Sequence, residues 1–423
     1  MRKKLSSSAA VIFALVLFAS GSRAVAQQAK VLFNFPDSYG GGYNPMGGLV
    51  FNASGNLYGT AAYGGLRDMG TVFELTPGAG GLWTQNSLHL FGADGGDGTH
   101  PRFGLFLDTS GNLYGTTPYG GVFGDSEAGG IAFELTPEAN GSWAETVLHS
   151  YGSTATDGDD PWSGLISDAA GNLYGVTAEG GTDISGTIFE LVPKPGGGAS
   201  EKILVSFSDV ASPVGNLIFD SSRNLYGVTD IGGAYDRGTV YELSPIAGGG
   251  WAQKVLHSFN GTDGSDPFAG LIQDSSGNLY GTTAYGGTES CPYGGYGCGV
   301  VFELIQQPGG TWKEKVLYNF NSKDGWFPAS SPPVFDAAGN LYGTTYYGGV
   351  HCAGSYGCGS VYELSPTSDG GWTEKTLHVF SGPDGSNPFG GLVLDAAGNL
   401  YGTTYAGGSN GDGTAFEIIL SEK

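Results

Sequence analysis

The stretch DSSGNLYGTTAYGG, from Asp274 to Gly287, decides the fold of this 423-residue chain because its core recurs along the whole sequence. The tetrapeptide NLYG occurs seven times, and each copy is followed, after a loop, by FEL or a close relative. The tyrosines of the seven copies are Tyr58, Tyr114, Tyr174, Tyr226, Tyr280, Tyr342 and Tyr401. They recur every 52 to 62 residues, and self-similarity at such a period is typical of a repeat architecture.

Each full repeat carries four short apolar segments. In the fifth repeat these are residues 267–274, 278–284, 299–305 and 312–320. They are rich in Val, Phe, Tyr and Thr and are separated by Gly, Asp, Asn and Pro, which predicts β-strands. DSSGN and its relatives predict tight hairpin turns. No segment beyond the N-terminus shows a sustained helical period, so we expect essentially no helix.

The fourth segment follows only six of the seven FEL segments, because the chain ends shortly after Ile418. The missing copy is AKVLFNF, from Ala29 to Phe35, at the other end of the chain. A lone four-stranded sheet is only marginally stable, whereas seven sheets arranged radially bury both faces of each. We therefore predict an all-β, seven-bladed β-propeller with four antiparallel strands per blade, in which the N-terminal strand completes the last blade. A parallel β-helix is the alternative, but it would not require this offset.

Residues 1–26 have the pattern of a secretory signal. A basic start at residues 2–4, an apolar run over residues 9–19 and the small-residue site Ala24-Val25-Ala26 fit that pattern. We expect the mature protein to be one propeller domain over residues 27–423, secreted and extracellular or at the cell surface. No C-terminal anchor is recognisable.

The chain has 40 acidic and 17 basic residues, a net charge of -23. Such a charge repels phosphate backbones and anionic lipid, so nucleic acid is excluded as a partner and membrane insertion is not expected. We expect a monomer. The 79 glycines also fit disorder, but regularly placed Phe and Tyr residues favour a packed core.

Four cysteines form two close pairs in loops of neighbouring repeats, Cys291 with Cys298 and Cys352 with Cys358. In an exported protein such spacing favours two local disulfides. A four-thiolate zinc site is the alternative, although the tight CxxC spacing is absent.

Several recurring polar residues are best interpreted as structural. The glutamate of FEL occupies the same position in every repeat, and a lysine follows on the next strand of several repeats, which predicts cross-strand ion pairs. His89, His149, His257 and His378 likewise occupy one repeat position. Metal-binding or catalytic histidines should instead converge on one place.

Function should appear as departures from the repeat, on the face shared by the loops between strands two and three and the loops between blades. Glu179 and Asp230 replace the usual residues there in adjacent repeats, and they are the candidate acid and base of a catalytic site. The commoner role for such residues is that of solvated loop acids. His100 and Arg102 are weaker candidates outside the repeat pattern.

Aromatic residues near the same loops could stack on sugar rings, or could simply plug the central channel. The candidate ligand-binding residues are Tyr63, Tyr119, Trp162, Tyr285, Trp326, Tyr346, Tyr347 and Tyr405. The loops between blades are acidic, and hard oxygen ligands at short spacing suit calcium, although an Asx turn explains them equally. The candidate calcium ligands are Asp94, Asp97, Asp157, Asp160, Asp263 and Asp266.

The unit DxxGNLYGTTxxGG followed by GTVFEL resembles the GloVer tandem repeat (Gloeobacter and Verrucomicrobia) of exported proteins. It is similar, more distantly, to the propeller repeats of two-component regulators and NHL proteins. The resemblance covers nearly the whole mature chain and implies a propeller, but it implies no catalytic residue. The expected function is a non-enzymatic module that binds a glycan or a protein. A calcium-assisted polysaccharide lyase or glycosidase, and a structural component of the cell envelope, are the alternatives.

Overall fold

A computed structural model of the protein describes residues 28–420, apart from 37–39, 82, 94, 125–127, 209–210, 292–296, 329–330 and 350–355. Within these residues the chain forms 32 strands. The only helical segment of the described chain is a 3₁₀ turn at Ala79–Gly81. No helix in this part of the protein is long and apolar enough to cross a membrane.

The first strand, β1 (Gln28–Asn34), precedes three blades built from the first half of the chain. Blade one contains β2 (Gly42–Pro45), β3 (Val50–Phe51), β4 (Leu57–Gly64), β5 (Thr71–Pro77) and β6 (Trp83–Leu90). Blade two contains β7 (Gly98–Thr99), β8 (Phe106–Leu107), β9 (Leu113–Thr117), β10 (Tyr119–Gly120), β11 (Ile131–Pro137) and β12 (Trp143–Ser150). Blade three contains β13 (Gly158–Pro161), β14 (Ile166–Ser167), β15 (Leu173–Gly180), β16 (Thr187–Pro193) and β17 (Ala199–Ser206).

Four further blades follow in the second half. Blade four contains β18 (Pro213–Phe219), β19 (Leu225–Thr229), β20 (Thr239–Pro245) and β21 (Trp251–Ser258). Blade five contains β22 (Ile272–Gln273), β23 (Leu279–Thr283), β24 (Val300–Gln306) and β25 (Trp312–Asn319). Blade six contains β26 (Val334–Phe335), β27 (Leu341–Thr345), β28 (Ser360–Pro366) and β29 (Trp372–Val379). Blade seven contains β30 (Val393–Leu394), β31 (Leu400–Thr404) and β32 (Thr414–Ile419).

Seven blade sheets form a ring, with the β7–β10 pair as a separate two-stranded sheet in blade two, and this confirms the predicted seven-bladed propeller. All strand pairs within the blades are antiparallel, and NLYG pairs with FEL throughout, as in Tyr280 opposite Glu303. The inner strands are less regular than expected. In blade five only Ile272–Gln273 joins the regular ladder, whereas in blades one and three a separate short strand that contains the proline, such as Gly158–Pro161, also pairs with the second strand.

The N-terminal strand completes the last blade, as predicted. β1 pairs antiparallel with β32, with Lys30 opposite Glu417 and Asn34 opposite Thr414. The Lys30 ammonium lies 3.8 Å from a Glu417 carboxylate oxygen. The two ends of the described chain are therefore held in one sheet, and the ring has no free edge at its closure.

An aromatic pair joins every blade to the next. The residue just after each outer strand packs against the aromatic residue of the third strand in the following blade, with ring centroids 5.0–5.3 Å apart. The pairs are Phe35–Phe73, Phe91–Phe133, Tyr151–Phe189, Phe207–Tyr241, Phe259–Phe302, Phe320–Tyr362 and Phe380–Phe416. These rings are buried, so each seam between blades has its own apolar core.

The glutamates of FEL make a contact that the sequence did not suggest. In all seven blades the NLYG tyrosine hydroxyl donates a hydrogen bond to the FEL glutamate of the same blade, at 2.7–3.5 Å. The expected lysine pairs are long where they form, such as 4.0 Å between Lys315 and Glu303. Lys254 instead donates to the Gly310 carbonyl at 2.6 Å. The glutamates are thus structural, as expected, but tyrosine is their main partner.

Replacing Phe35 by alanine tests the closure of the ring. Phe35 is fully buried, so Phe35→Ala should destabilise the protein by about 3–5 kcal/mol, measured by denaturant unfolding. Phe91→Ala removes the corresponding ring at the next seam and should cost a similar amount. Phe33→Ala, at a partly exposed position of the same strand, should cost less. Unfolding of Phe35→Ala at the parental midpoint would contradict the closure.

Candidate functional site

The loops between strands two and three and the loops between blades lie on one face, called here the upper face. The central channel opens on this face into a cavity of about 140 Å³. The cavity is lined by Met46, Arg102, Phe103, Trp162, Phe268, Phe327 and Phe389. Most of these residues flank the proline at the start of an inner strand, as Trp162 follows Pro161. The repeat therefore places one side chain from each of several blades around the same opening, called here the mouth.

Below the mouth, the channel continues as a cavity of about 200 Å³ that shares Met46, Arg102, Phe103, Phe268 and Phe389 with it. Glycines line much of this deeper part, because the inner strands of neighbouring blades converge there. At Gly215, with a φ of 70°, a Cβ atom would lie 2.6 Å from the Gly270 nitrogen. The close approach of backbones at this point leaves no room for a side chain at position 215.

Polar side chains of blades two and three lie at one side of the mouth. The Arg102 guanidinium carbon lies 5.2 Å from the centre of the Tyr119 ring and 5.9 Å from that of Trp162. Arg102 Nε and His100 Nδ1 are buried and have no hydrogen-bond partner in the part of the chain that the structure describes. Burial, followed by the charge of Arg102, lowers the pKa of His100, so His100 is neutral at pH 7.

Two carboxyl groups near the mouth resist ionisation. Burial, reinforced by the negative charge of Glu179, raises the pKa of Asp160 to about 7. Burial also raises the pKa of Asp230 to about 6, with a further contribution from Asp266. The charge acting on Asp230 thus comes from Asp266, whereas Glu179 acts on Asp160. The structure couples each member of the candidate pair Glu179 and Asp230 to a different carboxyl group.

Aromatic side chains of blades five to seven occupy the opposite side. The Trp326 and Tyr347 rings are stacked with centroids 4.7 Å apart, and Trp326 is only 7% exposed. Tyr346 packs edge-on against Tyr347 at 4.5 Å and against Phe389 at 5.7 Å. Of the eight candidate ligand-binding residues, only Trp162 lines the mouth cavity. The buried Trp326 supports this cluster from below the surface.

The remaining candidate tyrosines lie around the mouth. Tyr63 stacks on Tyr43 at 5.8 Å and meets the His100 ring edge at 5.3 Å. Tyr285 packs edge-on against Phe327 at 5.4 Å. Burial, and next the electrostatic effect of Tyr63, raise the pKa of Tyr405. The side chains of Tyr63 and Tyr405 therefore interact across the seam between blades seven and one.

Sequence reasoning included Trp162 and Trp326 near the inner-strand prolines but missed Met46, Phe103 and Phe327. The residues that flank these prolines carry the signal, because they differ between repeats.

A disulfide braces this face. Cys291 and Cys298 form a disulfide bond, with Cα atoms 5.3 Å apart. The Cys298 carbonyl accepts a hydrogen bond from the Phe327 N–H at 3.1 Å, so the stapled loop fixes a residue of the mouth. The bond expected between Cys352 and Cys358 stays a prediction, because Cys352 lies outside the described residues.

The candidate calcium ligands do not converge on one site. Asp160 and Asp266 lie at the mouth, whereas Asp97, Asp157 and Asp263 lie at the seams between blades, next to the histidines of the repeat. Asp94 lies outside the described residues. The calcium assignment therefore stays a prediction.

At two seams, a histidine and an aspartate are joined by a glutamate of the next blade. In the groups His89–Asp97–Glu145 and His149–Asp157–Glu201, the ligand atoms all lie within 4.8 Å of one another. Such a set of one imidazole and two carboxylates could hold a transition-metal ion better than calcium. Protons shared among the three side chains explain the same arrangement without a metal, since His149 Nε2 lies 3.3 Å from Asp157 and 3.5 Å from Glu201.

Protonation is unequal within the second group. Burial opposes ionisation of Asp157, but hydrogen bonds from His149 and Ser153 lower its pKa to about 2. Burial and the Asp157 carboxylate raise the pKa of Glu201 to about 8. Glu201 therefore keeps a proton that it would lose in the unfolded chain at neutral pH.

Exposed apolar side chains surround the mouth at a greater radius, on the loops between strands two and three of blades one to four. They are Leu66, Val122, Phe123, Ile184 and Tyr235, which are 59–74% exposed. Ile184 has a φ of 56°, a strained conformation for a β-branched residue. The upper face is thus apolar at its centre and along part of its rim.

The comparisons with known proteins agree with the fold. A family model described as the Gloeobacter/Verrucomicrobia repeat matches residues 122–292 and 255–423. No curated protein matches the chain. Among solved structures, an ancestral GH74 enzyme is similar, with a TM-score of 0.56 and 11% identity over 93% of this chain and 51% of that one. A protein assigned only provisionally as a gluconolactonase has a TM-score of 0.38 and 13% identity over 69% of this chain and 84% of that one. At 11% identity, the likeness to the GH74 enzyme supports the fold alone.

The seam carboxyls predict how stability depends on pH. The folded state keeps the Glu201 proton up to about pH 8, whereas the unfolded chain loses it near pH 4.5, so the free energy of unfolding falls as pH rises between these values. Glu201→Gln has no proton to lose and should be more stable than the parent at pH 8, by about 1–2 kcal/mol, with little difference at pH 4. Thermal unfolding at both pH values tests this. Glu138→Gln, at an exposed turn, is the control, and an equal effect of Glu201→Gln at both pH values would refute the assignment.

Proposed function

The chain belongs to the Gloeobacter/Verrucomicrobia repeat family, and from this premise we propose that its propeller binds a glycan at the mouth of the central channel. The observation that carries the proposal is the aromatic lining of the mouth cavity together with the Arg102 guanidinium that lines it too. A sugar ring presents C–H groups on its faces and hydroxyl groups at its edge. An aromatic surface beside polar groups is complementary to that pattern.

Trp162 is the central aromatic contact of this proposal. It lines the cavity, lies next to Arg102, and packs against Phe103 with ring centroids 5.6 Å apart. The Arg102 guanidinium carbon lies over the Trp162 ring, 5.9 Å from its centre, and both side chains line the cavity. Trp326, by contrast, is buried against Tyr347 and serves the packing of the face.

The apolar rim favours a chain over a single sugar. A monosaccharide would fill the mouth cavity of about 140 Å³, whereas the exposed residues at Leu66, Phe123, Ile184 and Tyr235 lie beyond it. Large exposed apolar side chains around a concave site are typical of an interaction surface. We propose that an extended glycan enters the mouth with one unit and lies across the rim with the others.

The binding experiment uses isothermal titration calorimetry with four soluble polysaccharides: laminarin, xylan, galactomannan and polygalacturonate. The parent should bind at least one of them, and Trp162→Ala should weaken that binding at least about tenfold, because loss of one aromatic stacking surface removes at least about 1.4 kcal/mol. Trp372→Ala removes a tryptophan at the start of an outer strand, away from the mouth, and should bind like the parent. Binding to none of the four would overturn the proposal.

Export is the second part of the proposal, and it rests on the signal pattern in residues 1–26. Expression of the full chain in a bacterial host with a secretory pathway should give a product outside the cytoplasm whose N-terminal residue is Gln27. Mass spectrometry of the purified protein measures this. An intact N-terminus in a cytoplasmic product would contradict it.

A further inference from the structure

One residue of the mouth differs from an otherwise apolar set. The residue directly after the inner-strand proline is apolar in six of the seven repeats and is Arg102 in the second. The other six are Met46, Trp162, Val214, Phe268, Ala329 and Phe389. Among the described residues that line the mouth cavity, Arg102 is also the only charged one. The other repeats pack without a charge at this position, so packing alone does not explain the arginine.

Arg102 forms no ion pair within the part of the chain that the structure describes. Arg223, by contrast, lies 2.8 Å from an Asp168 carboxylate oxygen. The Arg102 Nε atom is buried and has no hydrogen-bond partner among the described residues. No hydrogen bond joins Arg102 to Asp160, whose Oδ1 atom is also buried without a partner among these residues. A charge that is partly withdrawn from water and left unpaired costs free energy, so an anion that pairs with Arg102 recovers part of that cost.

Two aromatic rings hold the guanidinium in place. Its carbon atom lies 5.2 Å from the centre of the Tyr119 ring and 5.9 Å from that of Trp162. A cation over an aromatic face is attracted to it, and a guanidinium is hydrated weakly enough to remain there. The Trp162 ring packs in turn against Phe103, with centroids 5.6 Å apart. Its neighbours thus fix the position of Arg102 before a ligand arrives, which reduces the entropy lost on binding.

A molecule that enters the mouth can reach Arg102. The arginine lines both the mouth cavity of about 140 Å³ and the deeper cavity of about 200 Å³. The rest of the mouth lining is apolar and consists of Met46 and five aromatic side chains. Burial, followed by the charge of Arg102, lowers the pKa of His100, so His100 adds no second positive charge at pH 7. The mouth therefore offers a single cation in an apolar setting, where an ion pair is stronger than in water.

We infer that the mouth binds an acidic sugar, a uronic acid, through an ion pair between the sugar carboxylate and Arg102. This inference rests on the proposed glycan binding and names the class of glycan. A carboxylate is planar and accepts two parallel hydrogen bonds from the guanidinium fork. The ring of the same sugar presents C–H groups to the aromatic lining. A neutral sugar leaves Arg102 unpaired beside it and is therefore disfavoured.

The overall charge of the protein limits how many charges the ligand can carry. The net charge of -23 repels a polyanion along its whole length. Exposed charges more than about 8 Å apart are largely screened at physiological ionic strength, whereas an ion pair in direct contact is not. We therefore expect a uronate that is isolated in the glycan or stands at its end. Such a glycan places one carboxylate at Arg102 and neutral units over the apolar rim.

The test uses isothermal titration calorimetry with three trisaccharides that carry one terminal glucuronate, galacturonate or mannuronate, and with their carboxyl-reduced neutral forms. The parent should bind at least one acid at least about tenfold more tightly than its neutral form, because hydrogen bonds to charged groups are strong. Arg102→Gln should bring this ratio to about one while the protein stays folded, as judged by thermal unfolding. Arg102→Lys should keep part of the preference, because it retains the charge but not the planar fork.

Arg67→Gln is the matched control. It removes the same charge from an exposed loop of the upper face and should keep the parental ratio. The inference is overturned if Arg102→Gln keeps that ratio, or if the parent binds a neutral saccharide but prefers none of the three acids. The second result leaves the proposed glycan binding intact. If the parent binds neither these trisaccharides nor any of the four polysaccharides, the proposed function itself is removed.

Discussion

The contact on which this structure depends is the buried aromatic pair at each seam between blades. A four-stranded blade has two apolar faces and is too small to be stable alone, so every blade relies on its neighbours. The pair formed by Phe91 and Phe133 illustrates how the end of one blade is bound to the middle of the next. Because Phe35 and Phe73 form the same pair across the closure, the seam between blades seven and one is built like the other six. The N-terminal strand pairs within blade seven. The Phe35 ring that follows this strand packs against blade one.

The same seams determine where a site can form. Packing at the seams brings the inner strands together at the centre, where some backbones approach each other closely, as Gly215 and Gly270 do. Leucine and valine side chains such as Leu49 and Val393 line the channel below the mouth together with these glycines. Side chains next to the inner-strand prolines, such as Trp162 and Phe389, collect at this one opening. A propeller thus gives each blade one position that contacts a shared ligand, and that position is free to vary because packing does not use it.

Much of the fold could be predicted from the sequence, because each structural requirement recurs seven times and local turn chemistry agrees with the repeat. The strand that changes ends was visible as a missing copy. The contacts of the site were harder to predict. The sequence shows Asp160 only as one of several loop acids, because its left-handed backbone, with a φ of 54°, is an inner-strand irregularity that no local pattern reveals. The sequence predicts Asp230 as the partner of Glu179, because the two residues occupy nearly the same position after NLYG in adjacent repeats. Equivalent positions in adjacent repeats lie in different blades, so their side chains need not face each other.

Repetition itself separates structural from functional roles in such a molecule. The tyrosine–glutamate bond occurs in all seven blades, and a histidine close to an aspartate occurs at four seams, at His89, His149, His257 and His378. Buried charges that recur in this way stabilise seams, even where their pKa values are strongly shifted, since one ligand cannot use them all. Arg102, which lies over the Tyr119 and Trp162 rings, departs from the repeat. The position of Asp160 carries asparagine in blades one and seven and aspartate again in blade five, so a shifted pKa alone does not mark a functional residue, whereas a side chain that departs from the repeat and lines the mouth does.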